Sequence, residues 1–167
     1  MPSPEPPLGE PTLAPELQRV AFLVGDWTHT ELYHRGAQPQ SSPGAGRSKA
    51  SWLLGDHFLY VLYASRGPWG YFEARGLLSW DAAEKAYRMD WFDDRGHTRR
   101  LRGVSTRPGE LTLTGEIDVE GRGEEGQITI RHREDGKLLL TVEASPTGQP
   151  KGTPLLEAIL SPLTSPE

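Results

Sequence analysis

A chain of 167 residues with a net charge of −5, 35% hydrophobic residues and no cysteine is long enough for one domain that buries most of its apolar surface. The mixed charge excludes a surface built for a phosphate backbone or an anionic membrane. The absent thiols exclude disulfides, thiolate metal sites and cysteine catalysis.

A mean hydropathy of −0.56 fits a small protein whose core is thin or whose interior is wet. No apolar run approaches the length of a membrane span. The opening "MPSPEPPLGEPTLAPE" has neither a basic n-region nor an apolar h-region, so no secretory signal is read there. The expectation is a cytoplasmic protein with neither nucleic acid nor membrane as a partner.

Residues 1–12 are rich in Pro and Glu and read as a disordered tail; the folded domain is expected over 13–163. Leu13, Leu17, Val20 and Val24 recur at helical spacing, with Pro15 suited to a first turn and Gly25 to a C-terminal cap. This predicts one amphipathic helix of about two to three turns.

Beyond Gly25 the period becomes two. Strands are expected at 26–34, 47–54, 56–65, 70–80, 86–93, 97–106, 110–119, 126–133, 136–144 and 154–161, separated by turn-forming stretches such as "PGAG", "LGDH", "DDRG" and "REDG". An open sheet of this many strands would leave edges and a second face uncovered, and closure removes both problems. The predicted fold is therefore all-β: a single up-and-down antiparallel barrel of about ten strands with a short N-terminal helix at one end. A barrel of that size keeps an interior cavity.

Alternation sorts the side chains into faces. Trp27, His29, Glu31 and Tyr33 share one face of the first strand, and Tyr87, Met89 and Trp91 share one face of 86–93. Leu138, Leu140, Val142 and Ala144 face inward. Strand 70–80 is ambiguous: either Tyr71, Glu73 and Arg75 point in, or Phe72, Ala74, Gly76 and Leu78 do. An unpaired buried charge is costly, so a solvated Glu73–Arg75 pair is the favoured reading. The arginines of "HTRRLRGVST" read as a surface strand rather than an anion site.

Among the five histidines no metal-ligand spacing is found, and no metal or cofactor is expected. His132 continues the inward face of Ile128 and Ile130, making it the best polar candidate for the interior, although a hydrogen-bonded core histidine is the plainer account. There is no phosphate-binding loop and no nucleophile elbow. Asp93 and Asp94 in "WFDDRG" read as turn chemistry. The aromatics Trp27, Trp52, Tyr71, Tyr87 and Trp91 could form one wall, suited to a packed barrel end or to a flat apolar ligand. For Trp27 packing is the favoured role.

The elements "LVGDW", "LLGDHFL", "GLLSWDAAEKAYRMDWFDDRG" and "GELTLTGE" resemble a bacterial family known only as a domain of unknown function. That family is similar to the calycin-like barrels, the group of lipocalins, fatty-acid-binding proteins and nitrobindins. The resemblance runs from about Leu17 to Leu160 and is most specific over Gly76, Asp81, Tyr87, Trp91, Asp93 and Gly96. It implies a barrel and a small hydrophobic ligand. No histidine follows His132, which disfavours haem held by a late axial histidine.

Three functions compete. The first is a carrier or sensor for a small hydrophobic or aromatic molecule, with candidate binding residues His29, Glu31, Trp52, Tyr71, Glu73, Arg75, Tyr87, Met89, Trp91 and His132. The second is a cofactor-free isomerase, cyclase or decarboxylase using Tyr71, Glu73 and Arg75 in an apolar cavity. The third is an interaction module recruiting a partner through the tail or a strand edge. Trp69 at a hairpin tip adds an expectation of a homodimer.

Overall fold

The two-residue period is realised as ten strands that hydrogen-bond to their sequence neighbours all the way round, the last pairing with the first. The computed structural model describes residues 13–34, 41–119, 122–144 and 153–163; the expected tail, 1–12, lies outside them. A short helix α1 (Pro15–Gln18) and a 3-10 turn (Ala21–Leu23) precede β1 (Gly25–His34), β2 (Ser41–Leu53), β3 (Phe58–Gly67), β4 (Gly70–Asp81) and β5 (Ala86–Asp93). Then follow β6 (Thr98–Val104), β7 (Glu110–Val119), β8 (Arg122–His132), β9 (Leu138–Ala144) and β10 (Thr153–Pro162). Every pairing is antiparallel, and closure through β1 and β10 leaves no edge. No helix among the described residues is long and apolar enough to cross a membrane.

Because strands alternate in direction, one rim carries the start of β1 with α1 and the tight turns at 54–57, 82–85 and 105–109. This rim is sealed. Leu17, Val20 and Leu23 are buried over it, each worth roughly 1.5–3 kcal/mol of apolar transfer as an upper estimate. Trp27 Nε1 donates to the Leu23 carbonyl at 3.0 Å, and the Tyr87 hydroxyl donates to the Glu16 carbonyl. Both aromatic donors thus find acceptors in the cap, as buried polar groups must.

The cap differs from the expected helix. It breaks after Gln18 and resumes as a 3-10 turn, and Leu13 and Val24 are exposed rather than facing the core. Leu17, Val20 and Leu23, three residues apart, cover the rim better in a tightened turn than on one continuous helix. Gly25 is the first residue of β1, not a helix cap. Its φ of +147° turns the chain from the cap into the strand, a conformation side-chain-bearing residues rarely adopt.

β2 also begins earlier than expected, at Ser41 instead of 47. "PGAG" is strand, and its glycines make space. A Cβ on Gly44 would lie 2.6 Å from the Tyr33 ring, and one on Gly46 would lie 2.5 Å from Glu31 Oε1. The bulky polar side chains Glu31 and Tyr33 of β1 need glycine at these two positions of the neighbouring strand. On β4 the small face points inward: a Cβ on Gly76 would lie 2.6 Å from the Trp91 ring.

Candidate ligand cavity

Between the sealed rim and the opposite rim, which is uncapped among the described residues and is called open on that basis, the barrel holds a cavity of about 330 Å³, within the size range of small-molecule sites. Its lining is divided. β7 to β10 contribute an aliphatic wall that includes Leu113, Ile128, Val142, Leu156 and Ala158. β1 to β5 contribute a wall of polar and aromatic groups: His29, Glu31, Tyr33, Tyr63, Phe72 and Trp91. Trp27 and Leu160 lie towards the floor, and Trp69, Arg95 and Arg99 stand at the mouth.

The polar wall is a connected network. Glu31 is only 2% exposed, and its Oε2 accepts the hydroxyls of Tyr33 and Tyr63, each at 2.8 Å. Since Tyr33 donates to Glu31, the Ser65 hydroxyl 2.8 Å away is the donor to the Tyr33 oxygen. His29 is 5% exposed and places Nε2 2.6 Å from the Ser48 hydroxyl, with its ring 5.4 Å from that of Tyr63.

Burial sets the protonation of this wall. It lowers the pKa of His29 to about 4, so the imidazole is neutral near pH 7. Burial raises the pKa of Glu31 against the opposing pull of the hydrogen bonds from Tyr33 and Tyr63. Burial, joined by the nearby Glu31, raises both tyrosines. Glu31 Oε1 has no hydrogen-bond partner, which adds to the cost of ionising this carboxyl in place.

The mouth is charged. Asp93 accepts the backbone N–H groups of Arg95 and His97 at 2.9 Å each. The His97 ring nitrogen Nδ1 lies 3.2 Å from Asp93 and 3.3 Å from Asp118. Burial alone would raise the Asp93 carboxyl, but the His97 and Arg95 N–H donors outweigh it and hold the group below its usual value. Asp93 thus has the expected turn role and also borders the cavity. Ligand atoms of Asp93, His97 and Asp118 fall within 4.8 Å of one another, so these are the residues that could hold a metal. Their hydrogen bonds through His97 account for the arrangement without one.

Of the residues singled out by sequence, His29, Glu31, Met89 and Trp91 line the cavity together. The other six do not. Tyr71 is exposed on the outside, and Glu73 and Arg75 pair there at 2.9 Å with side chains 40% and 41% exposed. Phe72, Ala74 and Gly76 occupy the inner face, and the Trp91 ring leaves no room for a side chain at Gly76. Tyr87 is buried in the sealed rim, edge-on to Trp80 at 5.0 Å, and is tied to the cap rather than to the cavity. Trp52 packs against the core without lining the cavity. His132 ends β8 at the sealed rim, exposed beside Phe22; its strand runs past the floor before reaching it.

Sequence reasoning missed Ser48, Tyr63, Ser65, Arg95 and Arg99. Tyr63 lies in the uniformly apolar run 58–64, where alternation gives no phase. Trp69, the basis for expecting self-association, is half exposed and packs edge-on against Tyr33 at 5.5 Å.

No family model matches this chain, and no curated protein matches it. Among solved structures it is similar to the crystal structure of Rv2717c from M. tuberculosis, with a TM-score of 0.66 and 18% identity over 92% of this chain and 100% of that one. At that identity the likeness shows the fold.

Proposed function

We infer that this barrel is a non-catalytic carrier or sensor that holds a small apolar or aromatic molecule inside. The observation that carries the reading is the cavity itself, sealed at one rim, uncapped at the other among the described residues and walled by aliphatic side chains on one side. The calycin-like resemblance points the same way, since enclosing a small hydrophobic molecule is the habit of that group.

An enzyme built on Tyr71, Glu73 and Arg75 has no support, because these three face solvent. The interior network is a poor substitute. The hydroxyl protons of Tyr33 and Tyr63 are committed to Glu31, and Glu31 and His29 offer almost no surface to a substrate. Their geometry suits fixing the wall more than moving protons.

The test is a fluorescence titration with N-phenyl-1-naphthylamine, a neutral apolar probe that brightens on leaving water. Binding to the wild type is expected to saturate at one site per chain. Ala158→Phe fills the cavity from the aliphatic wall and is expected to weaken binding by about tenfold or more, a loss of at least 1.4 kcal/mol, with the β-sheet circular dichroism of the wild type retained. Equal binding by the variant would overturn the reading.

A further inference from the structure

Arg99 is the first inward residue of β6 at the open rim, opposite Trp91 in the β5–β6 ladder. A guanidinium presents five N–H donors in a rigid fork, yet this one is poorly served. Its Nε is buried without a hydrogen-bond partner. Its Nη1 lies 3.5 Å from the Thr98 carbonyl and 3.4 Å from Glu116 Oε1, both long for a charge-assisted bond. Glu116 is itself more than half exposed, so this ion pair is weak. A second cation, Arg95, lies 5.5 Å above the Phe72 ring at the same rim.

Two other described carboxylates near the mouth, Asp93 and Asp118, are engaged with His97. Asp93 is held by the Arg95 and His97 backbone and the His97 ring, and Asp118 faces that ring from the other side. Among the described residues Glu116 is the carboxylate that reaches Arg99. A cation so weakly paired, at the rim of an apolar cavity, is suited to an incoming anion that brings its own apolar body.

We propose that the ligand is a compact amphiphile with a single anionic head group, bound with its apolar body in the cavity and its head at the mouth against Arg99, supported by Arg95. The proposal rests on the carrier reading and names the class of ligand. It also fixes the orientation. Glu31, deeper on the opposite wall, offers an anion no donor from its network, because the Tyr33 and Tyr63 hydroxyl protons are already given to it. The head group therefore stays at the rim, where it displaces Glu116 from Arg99.

The experiment compares 2-naphthoate with 2-naphthamide, nearly the same shape with and without the charge, by calorimetric titration. Wild type is expected to bind the acid about tenfold or more tighter than the amide, the scale of one charge-assisted contact. Arg99→Met is expected to bring the two together. Glu116→Gln removes the competing carboxylate from an exposed position, where folding tolerates it, and is expected to tighten the acid severalfold while leaving the amide unchanged. An acid that binds wild type no tighter than the amide, or a Glu116→Gln variant with unchanged preference, overturns the proposal. The carrier reading fails separately, if the neutral phenylnaphthylamine probe is refused or binds Ala158→Phe as well as the wild type.

Discussion

The two rims of this barrel are made of opposite materials. At the sealed rim, Leu17, Val20, Leu23, Trp27 and Tyr87 are buried, and each aromatic donor meets a backbone acceptor of the cap. At the open rim, Trp69, Arg95, Arg99 and His97 are charged or half exposed, and the ion pairs of Arg99 and His97, at 3.2–3.4 Å, are long. The same closed ladder of strands supports both. Stability is therefore concentrated at one end of the molecule and adaptability at the other, the division expected of a container with one opening. The buried network around Glu31 lies between them, where a polar group is most expensive to misplace.

The largest effect should come from the sealed rim. Trp27→Ala removes the floor of the cavity and its bond to Leu23, and is expected to cost about 3–5 kcal/mol in urea unfolding. A loss below about 1 kcal/mol would show that the cap closes the barrel without it and that the two rims differ less than described.

The middle of the barrel should respond to pH. The folded-state pKa of His29 is depressed to about 4 from 6.5, so the stability that a neutral imidazole contributes is present above pH 6.5 and lost as pH falls towards 4. The penalty is about 3 kcal/mol. Glu31 acts in the reverse sense. Its raised pKa stabilises the fold at low pH, and that contribution is lost as pH rises through the raised value. His29→Gln is expected to remove the decline in melting temperature between pH 6.5 and 4, leaving the opposite slope of Glu31. A variant that keeps the wild-type decline would place its origin outside this network.

The smallest effect concerns the turns of the sealed rim. Leu54 is 70% exposed and adopts a φ of +52°, a left-handed conformation that costs a leucine about 1 kcal/mol. Leu54→Asn is expected to raise the melting temperature by about 2–4 °C and to leave ligand binding unchanged.

Much of the fold is legible in the sequence because its turns are chemically explicit. The β4–β5 and β5–β6 turns carry Asp81 and Asp93, whose carboxylates accept backbone N–H groups two to four residues on, and strand ends fall beside them. Where composition misleads, the cause is that one residue type has two uses. Glycines 44 and 46 resemble a turn, yet they are the cleared space that lets Tyr33 and Glu31 stand inside.

Faces are harder to read than strands. On β4 the charged pair Glu73 and Arg75 favours the outward phase that the structure shows, and the close fit of Trp91 and Met89 against Gly76, which no single strand records, fixes it. β3 hides Tyr63 in an unbroken apolar run. Arg99 resembles its outward neighbours Arg100 and Arg102, and only the closure of the barrel turns it into the mouth. The candidate site was thus half legible: His29, Glu31, Met89 and Trp91 follow from alternation, while their partners on β2, β3 and β6 require the registers.

The most direct test of a ligand held between the two rims is an NMR measurement of contacts between bound 2-naphthoate and the protein. Nuclear Overhauser contacts from the naphthalene protons to the methyl groups of Leu113, Ile128 and Val142 and to the Trp91 ring are expected. Contacts confined to outward residues such as Leu62 or Phe92, with the interior methyls silent, would contradict the account.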